Sequence, residues 1–284
     1  MLNELMATTW YCMRHGSVWK YARDKIFYRD LHADWNARTA QVLACPDNEQ
    51  IPRHPSAGNM ANGGLVMHCG VTVAADSYYG DEAGKLLQLN KGVHEPQEER
   101  IFHEVLKTIH PGATMVELGA YWGFYSLWFL AAVRDARAFL IEPDEANLRI
   151  GKRNFELNAA SGDFTHAFVG QTTNENGRPP TVSVDDFTAQ KAIEHVTILH
   201  SDIQGHEVDM LHGAQRLFDE RRLDYVFVST HGLRLHNQCL RFLKQNRFTI
   251  IGSADRFESY SLDGVIVARR SELEGCGPIA ISRR

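Results

Sequence analysis

Three residues in this chain combine the types that move protons: Asp202, His206 and His231. Asp202 and His206 follow the apolar run 196–201, and His231 follows the run 225–229. An imidazole titrates near neutral pH, so either histidine can take the proton of a weakly acidic hydroxyl. A carboxylate beside it can orient the ring, hold a substrate or ligate a metal. The same three residues could share a divalent cation that acidifies a hydroxyl. Two of them stand on one loop and the third beyond another strand, which is no recognised ligand spacing. With 14 histidines in the chain, position has to discriminate: His195, His200, His212 and His236 read as structural or surface groups. Glu207 opens the next helix and reads as a first-turn acid, favoured there by free N–H groups.

A second set of residues could hold a ligand rather than transform it. Residues 115–128 (MVELGAYWGFYSLW) read as a buried strand, a tight turn from Gly119 to Gly123 and the start of an apolar helix. Such a turn brings backbone and helix N–H groups close to a nucleotide-like ligand. The next apolar run, 138–141, ends in Glu142-Pro143. Glu142 stands 23 residues after Gly119, near the spacing of the acid that binds a ribose diol in such folds. The pattern is E-x-G-x-x-x-G rather than G-x-G-x-x-G. An acid at Glu117 suits a ligand with a positive centre, as the ammonium and sulfonium groups of S-adenosylmethionine provide, and a pyrophosphate does not.

The elements that must position these residues alternate. Strands are expected at 115–118, 138–141, 164–169, 196–201, 225–229, 247–251 and 264–268. Helices are expected from 124, at 144–158, 207–218 and 233–245. Alternation of this kind predicts a doubly wound, mostly parallel sheet. No helix separates the last two strands, so they should be antiparallel neighbours. Upstream, 97–109 carries an apolar stripe at 101, 102, 105, 106 and 109, stopped by Pro111-Gly112. Residues 64–75 alternate as a strand or hairpin. Residues 10–43 suggest one or two helices, and 45–62 a loop rich in Pro, Gly and Asn. The expected division is a helical extension and linker over 1–62 and a catalytic domain over 63–284.

The whole chain narrows the function classes. Its 284 residues are 44% hydrophobic, enough for one large core. A net charge of −5 argues against a partner held by phosphate neutralisation, so no nucleic acid is expected. No apolar run approaches bilayer length, so no membrane is expected either. Five scattered cysteines without C-x-x-C spacing fit reduced thiols in the cytoplasm.

Order and spacing together carry a resemblance. Glu117–Ser126 (ELGAYWGFYS), Ile141–Leu148 (IEPDEANL) and Ser201–Leu211 (SDIQGHEVDML) look like the three successive motifs of the FkbM family of SAM-dependent methyltransferases. The likeness runs from about Gly64 to Val267. It implies a Rossmann-like α/β fold with an antiparallel last strand, the class I methyltransferase layout. It implies S-adenosylmethionine as cofactor, with contacts at Glu95, Glu117, Gly119, Ala120, Tyr121, Gly123, Phe124, Glu142, Pro143 and Asn147. It implies methyl transfer to a hydroxyl of a small sugar or natural-product acceptor; residue type and position make Asp202 and His231, then His206, the expected catalytic residues. A homo-oligomer is compatible with it. The chain departs from the family pattern at Tyr121, where Asn is usual, at His200 for Lys and at Gln204 for Glu. Two other readings remain at this level: a non-catalytic SAM- or nucleotide-binding module, and an NAD-dependent dehydrogenase.

Overall fold

The computed structural model describes residues 35–284 except Asn62. The part of the expected helical stretch before Trp35 lies outside the described residues. Helix α1 (Trp35–Leu43) leads through a 3-10 turn (Pro46–Gln50) to a small antiparallel sheet of β1 (Met60–Ala61), β2 (Gly64–Val66) and β3 (Thr72–Val73). Helices α2 (Asp81–Leu89) and α3 (Pro96–Leu106) follow. Segment 35–61 is built into the same core: Val42 is fully buried in it, and the Asp47 carboxylate pairs with Arg100 and accepts from the Ser282 N–H.

Helix α3 places its stripe as expected. Ile101, Phe102, Val105 and Leu106 are buried, each contributing roughly 1.5–3 kcal/mol by leaving water. Its N-terminus is closed by Glu99, whose carboxylate accepts the backbone N–H groups of His94 and Glu95 at 2.7 Å each.

The main sheet comprises β4 (Thr114–Leu118), β5 (Arg137–Glu142), β6 (Asp163–His166), β9 (Val196–Ser201), β10 (Leu223–Thr230), β11 (Phe248–Ala254) and β12 (Gly264–Arg270). Its order is β11-β12-β10-β9-β4-β5-β6. All neighbours from β10 to β6 are parallel, and β12 runs antiparallel to both β10 and β11. Side chains alternate between two cores because successive residues of a strand face opposite ways. Met115, Leu140, Ile198 and Phe227 join one core. Val116, Ile141, Leu199 and Val228 join the other.

The crossovers are α4 (Phe124–Ala132), α5 (Glu145–Leu157), α6 (Val184–Gln190), α7 (Glu207–Gly213), α8 (Gln215–Asp219) and α9 (Leu233–Gln245). Two expected elements are divided. The strand expected over 164–169 leaves the sheet after β6, and Phe168–Val169 (β7) pairs with Thr181–Val182 (β8), held by the Phe168 N–H on the Pro180 carbonyl. The helix expected over 207–218 breaks at Ala214. At Gly213 the chain runs so close to the Gly170 carbonyl that a Cβ would clash. The sheet thus has seven strands, with its one reversed strand inside the sheet rather than at an edge.

Candidate active site

Parallel strands β4, β9 and β10 are adjacent, so their C-terminal ends open onto one place. Leu118 pairs with Ser201, and Ser201 with Val228. Gly119, Asp202 and His231 therefore leave the sheet side by side. The reversed strand β12 begins where the parallel strands end. Its first residue, Gly264, pairs with Thr230, which delivers Asp263 to His231.

The turn after β4 is tied to the β9 end. The Asp202 N–H donates to the Leu118 carbonyl at 2.9 Å. Gly119 has φ +68°, and a Cβ there would be driven into the Asp202 carbonyl oxygen. Glycine is required at this position by both its left-handed backbone and the close approach. Tyr121 is also left-handed, at φ +46°.

These ends floor a cavity of about 500 Å³, a volume usual for small-molecule sites. Glu95, Glu117, Gly119, Ala120, Tyr121, Asp202 and His231 line it. Five other candidates do not. Gly123 and Phe124 turn into the protein, and Phe124 is fully buried in the core. The Glu142 carboxylate lies behind Tyr121, accepting the N–H groups of Tyr121 (2.8 Å) and Asp144 (2.9 Å) and the Asn147 amide (3.3 Å). The Pro143 carbonyl meets the His166 ring at 2.9 Å. The Tyr121 hydroxyl accepts the Tyr79 N–H at 2.8 Å. His206 is also outside the lining. Its ring is mostly exposed and lies 3.4 Å from Asp209.

His231 is the centre of charge. Its Nδ1 lies 2.6 Å from Glu207 Oε1, and that oxygen also accepts the backbone N–H groups of His231 and Gly205. Glu207 is fully buried, so it does more than occupy a first turn: it fixes the imidazole from behind. On the cavity side, His231 Nε2 lies 3.2 Å from Asp202 Oδ1 and 3.4 Å from Asp263 Oδ1. The Asp202 contact is close but poorly aligned as a hydrogen bond, and both atoms are otherwise without a partner. Burial pushes the His231 pKa down. The close Asp202 carboxylate, the hydrogen bond to Glu207 and the charge of Asp263 outweigh it and hold it up, at about 11.

The acids around the cavity are short of cations. Burial lifts Glu95 to about 7, against His94 and reinforced by Glu98, Asp202 and Asp263. Burial lifts Asp263 to about 6, opposed by His231 and reinforced by Asp202. Glu117 is also raised, first by burial, with the His200 charge opposing. Crowded, partly protonated carboxylates of this kind suit a cationic ligand, which is what the two positive groups of S-adenosylmethionine supply. No group of three or more His, Cys, Asp or Glu able to hold a metal occurs among the described residues.

Several lining residues escaped the reading of the sequence. His200, taken as structural or surface, is buried, lines the cavity and sits 2.8 Å from Glu98. Trp35, Arg38, Tyr78, Tyr79 and Asp263 also line it. Only Asp263 carried a signal, since it directly precedes a strand expected to run antiparallel beside its neighbour.

Sheet order, reversed strand and acid-lined cavity at the strand ends have the layout of the class I SAM-dependent methyltransferase fold. Residues 130–250, somewhat under half of the chain and spanning the second and third motifs, match the methyltransferase FkbM domain. Over this stretch the chain is similar to an FkbM methyltransferase domain. Among curated protein sequences none matches it. Solved structures similar to it include a precorrin-6y C5,15-methyltransferase from Geobacter metallireducens (13% identity, 61% of this chain and 89% of that one, TM-score 0.43). A ribosomal protein L11 methylase from Lactobacillus delbrueckii is similar at 11% identity (63% and 80%, TM-score 0.43). TrmK of M. capricolum, in complex with S-adenosylhomocysteine, is similar at 12% identity (61% and 71%, TM-score 0.42). No helix among the described residues is long and apolar enough to cross a membrane.

Proposed function

We propose that this methyltransferase moves its methyl group to a hydroxyl oxygen of a small sugar or natural-product acceptor. The observation that carries the proposal is the Glu207–His231 pair facing Asp202 and Asp263 at the floor of the cavity. Methylation of a hydroxyl forms a C–O bond and releases one proton, which an amine acceptor can lose without a positioned base. A hydroxyl is far less acidic, so the proton needs a group at the reacting oxygen.

S-adenosylmethionine, when bound, supplies an electrophilic methyl on its sulfonium. The chain supplies the rest. Glu117, Glu95 and the turn after β4 hold the cationic part. Asp202, on the cavity side, receives the acceptor hydroxyl. In the free protein His231 rests as the imidazolium, because three carboxylates surround it. Were Asp202 and Asp263 neutralised by a ligand, the imidazolium would release its Nε2 proton to solvent, and the neutral Nε2 could then take the proton of the acceptor hydroxyl. Glu207 keeps Nδ1 protonated and Nε2 pointed at the cavity throughout. A base behind a buried orienting carboxylate is worth roughly 10²–10⁴-fold in rate.

The test is transfer of labelled methyl to a panel of hydroxylated acceptors, with Asp202→Asn and the wild type side by side. Transfer to oxygen in the wild type, lost in Asp202→Asn while S-adenosylhomocysteine affinity stays within a few fold, is the expected outcome. A collapse of that affinity moves Asp202 to the cofactor site. Cofactor binding with no transfer to any acceptor would leave a binding module, and labelled nitrogen or carbon products would overturn the hydroxyl assignment.

A further inference from the structure

Arg38 is a cation whose anion is missing from the described residues. It projects from α1, is only 6% exposed, and lines the cavity opposite the strand ends. Its guanidinium carbon lies 4.6 Å from the centre of the Trp35 ring, 5.7 Å from Tyr78 and 5.8 Å from Tyr79. Aromatic faces hold a cation by its flat side and leave its N–H edge free. One donor, on Nη2, goes to the Tyr78 hydroxyl at 2.7 Å. Nε is buried and has no acceptor. Among the described residues, no carboxylate lies within ion-pair distance of the guanidinium. The cavity's acids are engaged elsewhere: Glu95 accepts from Tyr125, and Asp263 faces His231.

A guanidinium is a rigid fork that matches a planar carboxylate with two parallel hydrogen bonds. A buried one without its anion is costly unless a ligand brings the partner. Beside it, Trp35 and Tyr79 lie 5.7 Å apart at 44°, and Tyr79 is 53% exposed, so aromatic surface is open to a ligand ring next to the fork. This wall is built by the segment ahead of the sheet, whereas the turn after β4 belongs to the sheet itself.

Resting on the hydroxyl-methylation reading, we infer that Arg38 anchors a carboxylate on the ligand, and that the acceptor is a hydroxylated ring bearing that carboxylate, stacked against Trp35 and Tyr79. The same anion chemistry could come from the amino-acid carboxylate of the cofactor, and the test separates the two sources.

The probes are 4-hydroxybenzoate and its neutral counterpart 4-hydroxybenzamide, titrated by calorimetry into protein saturated with S-adenosylhomocysteine. In a second arm, S-adenosylhomocysteine and 5′-methylthioadenosine, which lacks the amino acid, are titrated alone. The acid is expected to bind at least tenfold more tightly than the amide in the wild type. In Arg38→Gln the gap should close while S-adenosylhomocysteine affinity stays within threefold, which also reports an intact fold. Arg38→Lys keeps the charge but loses the fork, and should retain part of the gap. An acid and amide that cannot be distinguished in the wild type, neither binding included, overturn the inference, as does a gap that survives Arg38→Gln. A tenfold loss for S-adenosylhomocysteine in Arg38→Gln, with 5′-methylthioadenosine unchanged, assigns the anion to the cofactor and overturns the acceptor class. Binding is read here without turnover, so failure of the hydroxyl reading shows separately, as absent transfer with these affinities intact.

Discussion

The cavity has two unlike walls. One is the turn after β4 with Glu117, made of backbone, glycine and buried acid, and sewn to the neighbouring strand through Leu118 and Asp202. The other is α1 and the 78–79 segment, made of aromatic rings and a guanidinium. The first is rigid, because main-chain contacts fix it and one glycine admits no substitute. The second is assembled from side chains, some buried like Arg38 and Tyr78 and some with open surface like Tyr79, and a change at the open ones changes what fits. A cofactor common to a whole class belongs on the first wall, and selectivity belongs on the second.

The comparison breaks most sharply at Gly119. Gly119→Ala meets a positive φ and the Asp202 carbonyl together, so it should destabilise the protein by about 3–5 kcal/mol and abolish cofactor binding. Thermal unfolding and calorimetry check both. An Ala variant of wild-type stability would mean that the two strand ends are not locked.

Next in size is Glu207→Ala. It leaves the turn untouched and removes the group behind His231, so transfer should fall by roughly 10²-fold with S-adenosylhomocysteine affinity within threefold. The His231 pKa should drop from about 11 towards the ordinary imidazole range, as followed by NMR titration. A ring that still titrates near 11 would show that Asp202 and Asp263 alone hold the charge.

The smallest effect concerns pH. Glu95 and Asp263 are acids raised in the folded protein, to about 7 and about 6. The folded state therefore holds more protons than the unfolded one between the ordinary carboxylate range and those values. The stability these two groups contribute is present at low pH and lost as pH rises through that window. A cation in the cavity reverses the balance, because it favours the ionised acids. The preference for S-adenosylmethionine over the uncharged-sulfur product should thus grow by about tenfold between pH 5.5 and 7.5, then level off. A flat ratio across that range would remove these acids from cofactor recognition.

What the sequence made legible follows the same division. The strand-turn-helix at 115–128 and the unseparated last two strands are local signals, and each is found in the observed sheet. The paired ends of β9 and β10 made Asp202 and His231 candidates because polar residues after apolar runs mark strand ends. Glu142 and Asn147 were candidate contacts, yet spacing alone does not reveal that the Glu142 carboxylate is taken up by the Tyr121 and Asp144 N–H groups and the Asn147 amide. Arg38 and Trp35 were invisible for a different reason. They reach the site through a packing of α1 against the sheet that no periodicity encodes. His200, read as structural or surface, is buried against Glu98, and nothing in the apolar run shows that it also lines the cavity.

The position of β12 carries a consequence for the order of assembly. It lies between β10 and β11, so β11 gains its place in the sheet only through a partner that follows it in the chain. Until β12 slots in, one edge of β10 stands bare, and Asp263 is missing from beside His231. The pairing of β12 with β10 and the completion of the acid cluster are therefore one structural condition: whatever loosens that pairing also takes Asp263 away from His231.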